Sequence, residues 1–175
     1  IITYGAATSA CEQSRRWDLA LGLLADLRQS RLQPDVITYN ASISACSKID
    51  LWVHALSLFN GMVGSNLQPS LVTYNALINT CSKSHEWMQG LALLSSMHQR
   101  SLSPDAITYN ASISACEQGR EWARALGLFW LLRRRGVEFS TVTFGASLSA
   151  CRRGHKWACG ITLLDDMWRC SVEPD

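Results

Sequence analysis

Cysteine is the most conspicuous reactive residue of this 175-residue sequence, which contains seven. Thiols at suitable spacing form disulfides or bind zinc, but no C-x-x-C pair occurs and the four His share no metal-ligand spacing. Five of the seven Cys recur every 35 residues, and such a ladder predicts small buried side chains in a reduced, intracellular protein without metal or cofactor. The ladder consists of Cys11, Cys46, Cys81, Cys116 and Cys151.

A second ladder is aromatic and could offer flat surfaces for stacking. Each of its members begins a stretch whose next helical turn is apolar, so packing in the core is the favoured interpretation. The aromatic ladder consists of Trp17, Trp52, Trp87, Trp122 and Trp157.

No nucleophile, acid-base pair or phosphate-binding loop is recognisable in the sequence. We therefore predict that this segment is not an enzyme, although a catalytic domain could lie elsewhere in a longer chain.

Internal repetition organises these positions. The string ITYNASISAC occurs at Ile37–Cys46 and again at Ile107–Cys116, two periods of 35 residues apart. Five periods fill the chain and predict an all-α solenoid of five helix-turn-helix units, in which each unit contacts only its neighbours. The predicted units are residues 1–35, 36–70, 71–105, 106–140 and 141–175, taken as a single array.

One unit illustrates the local prediction. Thr38 is a plausible N-cap, and Tyr39, Ile43 and Cys46 follow at the i, i+4, i+7 spacing of a first helix that should end near residues 48–51. A second helix should begin at Trp52 and end before a proline. One position of the second helix is always small, which suits a close helix crossing. Its residues are Ala20, Ala55, Gly90, Ala125 and Gly160.

Composition limits the classes of function. A hydrophobic share of 47% with 17% charged residues predicts a folded chain, and a net charge of +2 provides no general basic field. No apolar run of 18 residues occurs, so a membrane span is not expected. The chain begins at Ile1 inside a repeat and without Met, from which we expect a segment of a longer protein.

The repeats resemble the pentatricopeptide repeat family, in particular its P class. VTYNALI at Val72–Ile78 follows the family pattern, and Leu32–Asp35 ends a unit as L-x-P-D. The competing tetratricopeptide repeat has a period of about 34 and a W-x-x-L-G-x-x-Y pattern, and neither is found. The resemblance implies a right-handed superhelix that binds single-stranded RNA in a mitochondrion or chloroplast, where it would act in RNA processing, stabilisation or translation.

The resemblance also implies which residues read bases. Each repeat of the family handles one base through its fifth and its last residue. Asn offers a donor and an acceptor, Asp only accepts, and Ser does both, so Asn with Asp suits uracil and Asn with Ser suits cytosine. The pairs are Gly5 with Asp35, Asn40 with Ser70, Asn75 with Asp105, Asn110 with Ser140, and Gly145 with Asp175.

With the N-terminus toward the RNA 5′ end, as in the family, the three central pairs predict 5′-CUC-3′. The two Gly units have no side chain for a base edge and should tolerate any base. Aliphatic residues at the second position of each unit would sandwich the bases, or simply pack between repeats. They are Ile2, Ile37, Val72, Ile107 and Val142.

Lys48, Lys83 and Arg153 end first helices where the family contacts phosphate, although solvated surface charges would have the same pattern. Single-stranded RNA is therefore the expected partner, with no membrane and no small-molecule substrate. The alternative function is a helical scaffold that binds other proteins, and it predicts no special importance for the Asn and Asp positions.

Overall fold

The computed structural model describes residues 2–30, 32–170 and 172, and these residues form ten α-helices and no strand. They divide into two compact units, Ile1–Thr80 and Cys81–Asp175, with the division inside α5. The helices are α1 (Ile2–Gln13), α2 (Trp17–Gln29), α3 (Val36–Ser47), α4 (Trp52–Gly64), α5 (Leu71–Lys83), α6 (Trp87–Gln99), α7 (Ala106–Gln118), α8 (Trp122–Arg134), α9 (Thr141–Arg153) and α10 (Trp157–Arg169).

The helices pack as hairpins inside each unit. In the first unit α1 contacts α2 and α3, while α3 also contacts α2 and α4. In the second unit α7 contacts α6, α8 and α9, and α9 also contacts α8 and α10. First helices thus stack on first helices with a second helix between them, which confirms the predicted all-α solenoid class. The handedness of a superhelix and the grouping of all five repeats in one array stay predictions.

The prediction that Thr38 is an N-cap is wrong. Asp35 has extended backbone angles, and its carboxylate accepts the backbone N–H of Thr38 at 2.9 Å, so Asp35 is the N-cap and Thr38 is the third residue of α3. A cap satisfies one of the backbone donors that a helix start leaves unpaired. The same relation recurs in the later repeats. The capping residues are Asp35, Ser70, Asp105 and Ser140.

The turn between the two helices of each hairpin lies where the sequence predicted it, but its geometry was not foreseen. One residue per turn, always non-glycine, has a left-handed backbone with φ between 53° and 62°. Gly119 and Gly154 stand one residue earlier with ordinary negative φ values of −74° and −85°. The left-handed residues are Arg15, Asp50, His85, Arg120 and His155.

The buried faces match the predicted ladders. The Cys46, Cys81, Cys116 and Cys151 side chains are buried and Cys11 is half-buried. At the predicted small position Ala20, Ala55, Gly90 and Ala125 are buried, while Gly160 is half-buried.

An aromatic cluster closes the junction before α9. Phe139, which stands where other repeats have proline, stacks on Phe129 with ring centroids 4.8 Å apart and approaches Phe144 at 5.2 Å. Phe129 and Phe144 are fully buried, so the cluster holds α8 against α9 through large apolar surfaces.

Among the described residues, no helix combines the length and apolar character required to cross a membrane. Within the same part of the chain, no three His, Cys, Asp or Glu side chains are grouped so as to hold a metal ion.

Candidate nucleic-acid interface

The fourth repeat brings its fifth and last residues together at the start of α9. Asn110 Nδ2 donates to Ser140 Oγ at 3.3 Å, and Asn110 Oδ1 accepts from Thr143 Oγ1 at 2.6 Å. Thr143 Oγ1 also accepts the backbone N–H of Ser140 at 3.2 Å and lies 3.0 Å from Ser140 Oγ. Asn110 and Ser140 are half-buried, so both side chains remain accessible from outside.

The second repeat has the same arrangement at the start of α5. Asn40 Oδ1 accepts from Thr73 Oγ1 at 2.6 Å, and Thr73 Oγ1 accepts the backbone N–H of Ser70 at 3.0 Å. Ser70 Oγ lies 3.1 Å from Thr73 Oγ1. Each of the two predicted Asn and Ser pairs is therefore joined by the threonine at the third position of the following helix.

The two described Asp residues of the set form a different network. Asp35 Oδ1 accepts both the backbone N–H and the hydroxyl of Thr38, the latter at 2.7 Å, and Asp105 does the same with Thr108 at 2.8 and 2.7 Å. Burial acts to raise the pKa of Asp35, but the hydrogen bonds from the Thr38 hydroxyl and N–H outweigh it, so the pKa lies below its ordinary value. The Asp35 carboxylate is therefore charged at neutral pH.

The remaining positions that were predicted to read bases differ in burial. Gly5 is buried in α1 and Gly145 is exposed in α9. Asn75 is half-buried in the first compact unit, and Asp105 lies in the second. Asp175 lies outside the described residues.

Large aliphatic side chains stand exposed beside these positions. Exposed fractions of 62–68% are unusual for Ile and Val, which are among the residues most often buried. Most of each side chain is therefore available to a base, while Ile37 also lies against Gly5 of the preceding repeat, so stacking and packing between repeats both stay predictions. The Ile2 side chain lies outside the described part of the chain. The exposed residues are Ile37, Val72, Ile107 and Val142.

Lys48 and Arg153, both predicted to contact phosphate, have carboxylate partners. Lys48 Nζ lies 3.4 Å from Glu12 Oε1, and Arg153 Nε lies 2.7 Å from Glu117 Oε1. Glu117 is buried, so the shorter of the two pairs is also the one with the less solvated carboxylate. Lys83 is exposed at the end of α5.

The tryptophan ladder is only half-buried, and Trp157 is 76% exposed, so the predicted core packing holds in part. Trp122 packs against the turn of the following hairpin at Gly154, and the Lys156 ammonium lies 4.8 Å from its ring centroid. The Trp122 ring is thus enclosed by its own neighbours, which leaves it little surface for a base.

Sequence reasoning missed that the last residue of a repeat is also a helix cap. A signal was available, because an Asp or Ser followed three residues later by Thr recurs at every junction from Asp35–Thr38 to Ser140–Thr143, and this spacing is that of an N-cap with its third helical residue. The residue proposed to distinguish bases therefore also stabilises the helix that follows it.

Three family descriptions match the chain. The PPR repeat family matches residues 34–83 and 69–118, the pentatricopeptide repeat domain matches residues 1–48, and the PPR repeat matches residues 107–137. Together these matches cover residues 1–137 without a gap. No curated protein matches the chain.

Solved structures of similar fold include PPR10 in complex with an 18-nt psaJ RNA element, which is 26% identical with a TM-score of 0.81 over 98% of this chain. PPR10 from maize is 26% identical, with a TM-score of 0.73 over 99% of this chain. This chain covers 25% of PPR10. The PPR domain of Arabidopsis thaliana protein-only RNase P 1, in complex with tRNA, is 13% identical with a TM-score of 0.85, covering 97% of this chain and 90% of that one. At 13% identity, the likeness to this domain shows a similar fold alone.

Proposed function

This chain belongs to the pentatricopeptide repeat family, and from that premise we propose that it binds single-stranded RNA, one base per repeat. PPR10, similar over nearly the whole chain, was crystallised with an RNA element, which supports the proposal. The family also supports a role in the processing, stabilisation or translation of a transcript in a mitochondrion or chloroplast.

The observation that carries the proposal is the repeated juxtaposition of Asn with Ser at the start of the next first helix. Asn40 with Ser70 and Asn110 with Ser140 each combine an amide and a hydroxyl on a half-buried surface. Exposed aliphatic residues at Ile37 and Ile107 stand three positions before the Asn residues. The polar groups can form hydrogen bonds with the edge of a base, and the apolar side chains beside them can pack against its face. This combination suits an unpaired nucleotide.

The chemistry of the pairs favours 5′-CUC-3′ at the three central repeats. Cytosine N3 is a bare acceptor, which the Asn amide N–H can match, and a neutral Ser does not repel it. Uracil N3 carries a proton, which the Asn75 amide oxygen or the Asp105 carboxylate can accept. Gly5 and Gly145 lack any such group, so the outer repeats should accept all four bases.

A small net charge makes phosphate attraction a secondary contribution. To contact phosphate, Lys48 and Arg153 would either break their ion pairs with Glu12 and Glu117 or bind the carboxylate and the phosphate together. Lys83 is the third proposed contact. Each phosphate neutralised lowers the logarithm of affinity by about 0.7 per decade of salt for a single strand. We therefore expect the affinity for RNA to depend only weakly on salt, with a slope no steeper than that of about three phosphate contacts at about 0.7 each.

Fluorescence anisotropy with short labelled oligonucleotides tests the proposal. Oligonucleotides should share one unstructured flank and differ at the CUC core, with all measurements at low and physiological salt. Asn40→Ala and Asn110→Ala should weaken binding to the CUC strand, each by about fivefold or more. Asn60→Ala is the matched control, since Asn60 is exposed on α4, away from the proposed surface.

The competing function is a protein-binding scaffold. It predicts that the wild-type chain binds no single strand even at low salt, or that Asn110→Ala and Asn60→Ala have the same small effect. Either result would overturn the RNA proposal.

A further inference from the structure

Each first helix from α3 onward carries a buried threonine at its third position, and its hydroxyl has one proton to donate. Thr38, Thr73, Thr108 and Thr143 are at most 1% exposed. The Asp cap accepts from this hydroxyl at Thr38 and Thr108, and an Asn side chain accepts from it at Thr73 and Thr143.

In the repeats capped by Asp, the proton goes to the cap. The Thr38 hydroxyl donates to Asp35 Oδ1 and the Thr108 hydroxyl donates to Asp105 Oδ1, both at 2.7 Å. A carboxylate is the strongest acceptor within reach of the hydroxyl, and hydrogen bonds to it are short and charge-assisted.

In the repeats capped by Ser, the proton goes to the Asn of the preceding repeat. The Thr73 and Thr143 hydroxyls lie 2.6 Å from the side-chain oxygens of Asn40 and Asn110. This distance is typical of O–H···O bonds and too short for N–H···O, whose usual length is about 2.9 Å. The amide atom that faces the threonine is therefore Oδ1.

The other contacts of these threonines agree with that direction. Thr143 Oγ1 accepts the Ser140 backbone N–H at 3.2 Å, and Thr73 Oγ1 accepts the Ser70 backbone N–H at 3.0 Å. Since the single hydroxyl proton is committed to Asn, the contacts of 3.0 and 3.1 Å between the two hydroxyls must be donated by Ser.

We propose that Thr73 and Thr143 are positioning residues that fix the orientation of the Asn40 and Asn110 amides and thereby make these repeats specific for cytosine. With Oδ1 turned toward threonine, Nδ2 is the amide atom on the opposite side, and at Asn110 one of its two N–H groups is left for a base beside the bond to Ser140. Cytosine N3 accepts such a donor, whereas uracil N3–H opposes it. This inference rests on the proposed RNA binding and adds to the base-reading pair a third residue, which belongs to the following repeat.

The cap residue would then act on the base through threonine. An Asp cap takes the threonine proton, so the hydroxyl has only lone pairs for a neighbouring Asn. An Asn facing those lone pairs turns its Nδ2 toward the threonine and its Oδ1 outward, where it can accept uracil N3–H. Ser and Asp caps would thus select opposite amide orientations.

Single-position selectivity is the decisive measurement. One oligonucleotide pair should exchange C for U opposite the fourth repeat alone, and a second pair should exchange C for U opposite the second repeat alone. Wild type should prefer C at both by about fivefold or more. Thr143→Val should bring the preference at the fourth repeat close to one and leave the second repeat unchanged, and Thr73→Val should do the reverse.

Conservative and double variants separate positioning from folding. Thr143→Ser keeps the hydroxyl and should restore the cytosine preference. Ser140→Asp should reverse the preference to U at the fourth repeat, and Ser140→Asp combined with Thr143→Val should lose that reversal. A purely structural role of Thr143 would lower affinity for the C and U strands equally.

The outcomes distinguish this inference from the proposed function. If wild type binds no single strand, the RNA proposal itself fails. If wild type prefers C and Thr143→Val keeps that preference, only the threonine inference is overturned. If Thr143→Val does not fold, the wild-type complex still decides, because NMR should show a scalar coupling across the hydrogen bond from Asn110 Nδ2 to cytosine N3. An uncoupled, freely rotating Asn110 amide would contradict the inference.

Discussion

Trp122 lies so close to Gly154 that a Cβ built on this glycine would stand 2.5 Å from Trp122 Cγ. The same relation joins Trp87 to Gly119, where the nearest ring atom would be 2.2 Å away. These glycines have ordinary φ angles, so the space beside the indole, and not backbone freedom, requires them.

Gly154→Ala should therefore destabilise the protein. Displacing the Trp122 ring is an overpacking change, which costs about 1–3 kcal/mol. Gly127→Ala is the matched control because nothing lies within 4 Å of its Cβ position, and in the middle of α8 it should stabilise by about 0.5–1 kcal/mol. Urea unfolding of both variants measures the difference, and an unchanged free energy of unfolding for Gly154→Ala would refute the steric argument.

Tyr109 should tolerate loss of its hydroxyl. Its Oη is buried and has no hydrogen-bond partner among the described residues, and Phe144 fills the equivalent buried position of the next repeat. Tyr109→Phe should leave the free energy of unfolding unchanged or raise it. Tyr39→Phe should lower it by about 0.5–1.5 kcal/mol, since it removes the 2.8 Å bond from Arg28. Equal losses in the two variants would contradict the prediction.

Gly5→Asn should create a fourth selective repeat. A Cβ at Gly5 would meet Ile37 Cγ2 at 3.7 Å and Thr38 Oγ1 at 3.9 Å, both ordinary contacts, and Asp35 already caps the following helix. The variant should bind 5′-UCUC-3′ at least about fivefold more tightly than the strands that have A, C or G before the CUC core. Wild type should bind all four strands equally. Gly22→Asn, on an exposed position of α2, is the control. Equal affinity of Gly5→Asn for all four strands would count against the proposed pair.

Glu117→Gln should release Arg153 for phosphate. The variant should bind RNA more tightly at low salt and show a steeper salt dependence, because one more cation becomes available. Asp165→Asn makes the same change in net charge but frees only Arg169, from a highly exposed pair on α10. Identical effects of the two variants would show that only net charge matters and that Arg153 has no specific phosphate contact.

The thiols should differ widely in reactivity. Burial raises the pKa of Cys46, Cys81 and Cys116 to about 11, so their reactive thiolate is scarce at pH 8, while Cys170 is exposed. Alkylation followed by peptide mass spectrometry should label Cys170 first, and the three buried thiols only in denaturant. Cys170→Ser should remove the fast phase. Rapid native-state labelling of Cys116 would contradict the buried assignment.

The raised pKa of the buried thiols should also make the protein less stable in alkaline solution. These thiols keep their protons in the folded state to about pH 11, whereas in the unfolded chain they lose them at lower pH. The unfolded state therefore binds fewer protons in this window, and the thiol contribution to stability should fall as the pH rises toward about 11.

Much of the fold was predictable because each role recurs at a fixed phase. A period of 35 residues placed the hairpins, the buried Cys positions and the turns, since equivalent residues in stacked units have equivalent surroundings. The Thr38 cap was predicted wrongly because a single threonine before an apolar face fits an N-cap as well as a third helical residue does. The Asp or Ser three residues before each threonine indicates the second interpretation, and the extended backbone at Asp35 shows it directly.

Sequence alone determined the repeat, the hairpin class, the small and apolar ladders, and the positions where Asn, Ser and Asp vary. These properties follow from residue type and spacing along one chain. Only the tertiary structure shows which residues of neighbouring repeats meet. Asn110 and Ser140 are joined through Thr143, and Arg153 forms an ion pair with Glu117. The Trp122 ring occupies the space beside Gly154. Each of these joins residues about thirty positions apart, where direction and distance depend on how helices pack and not on their local sequence.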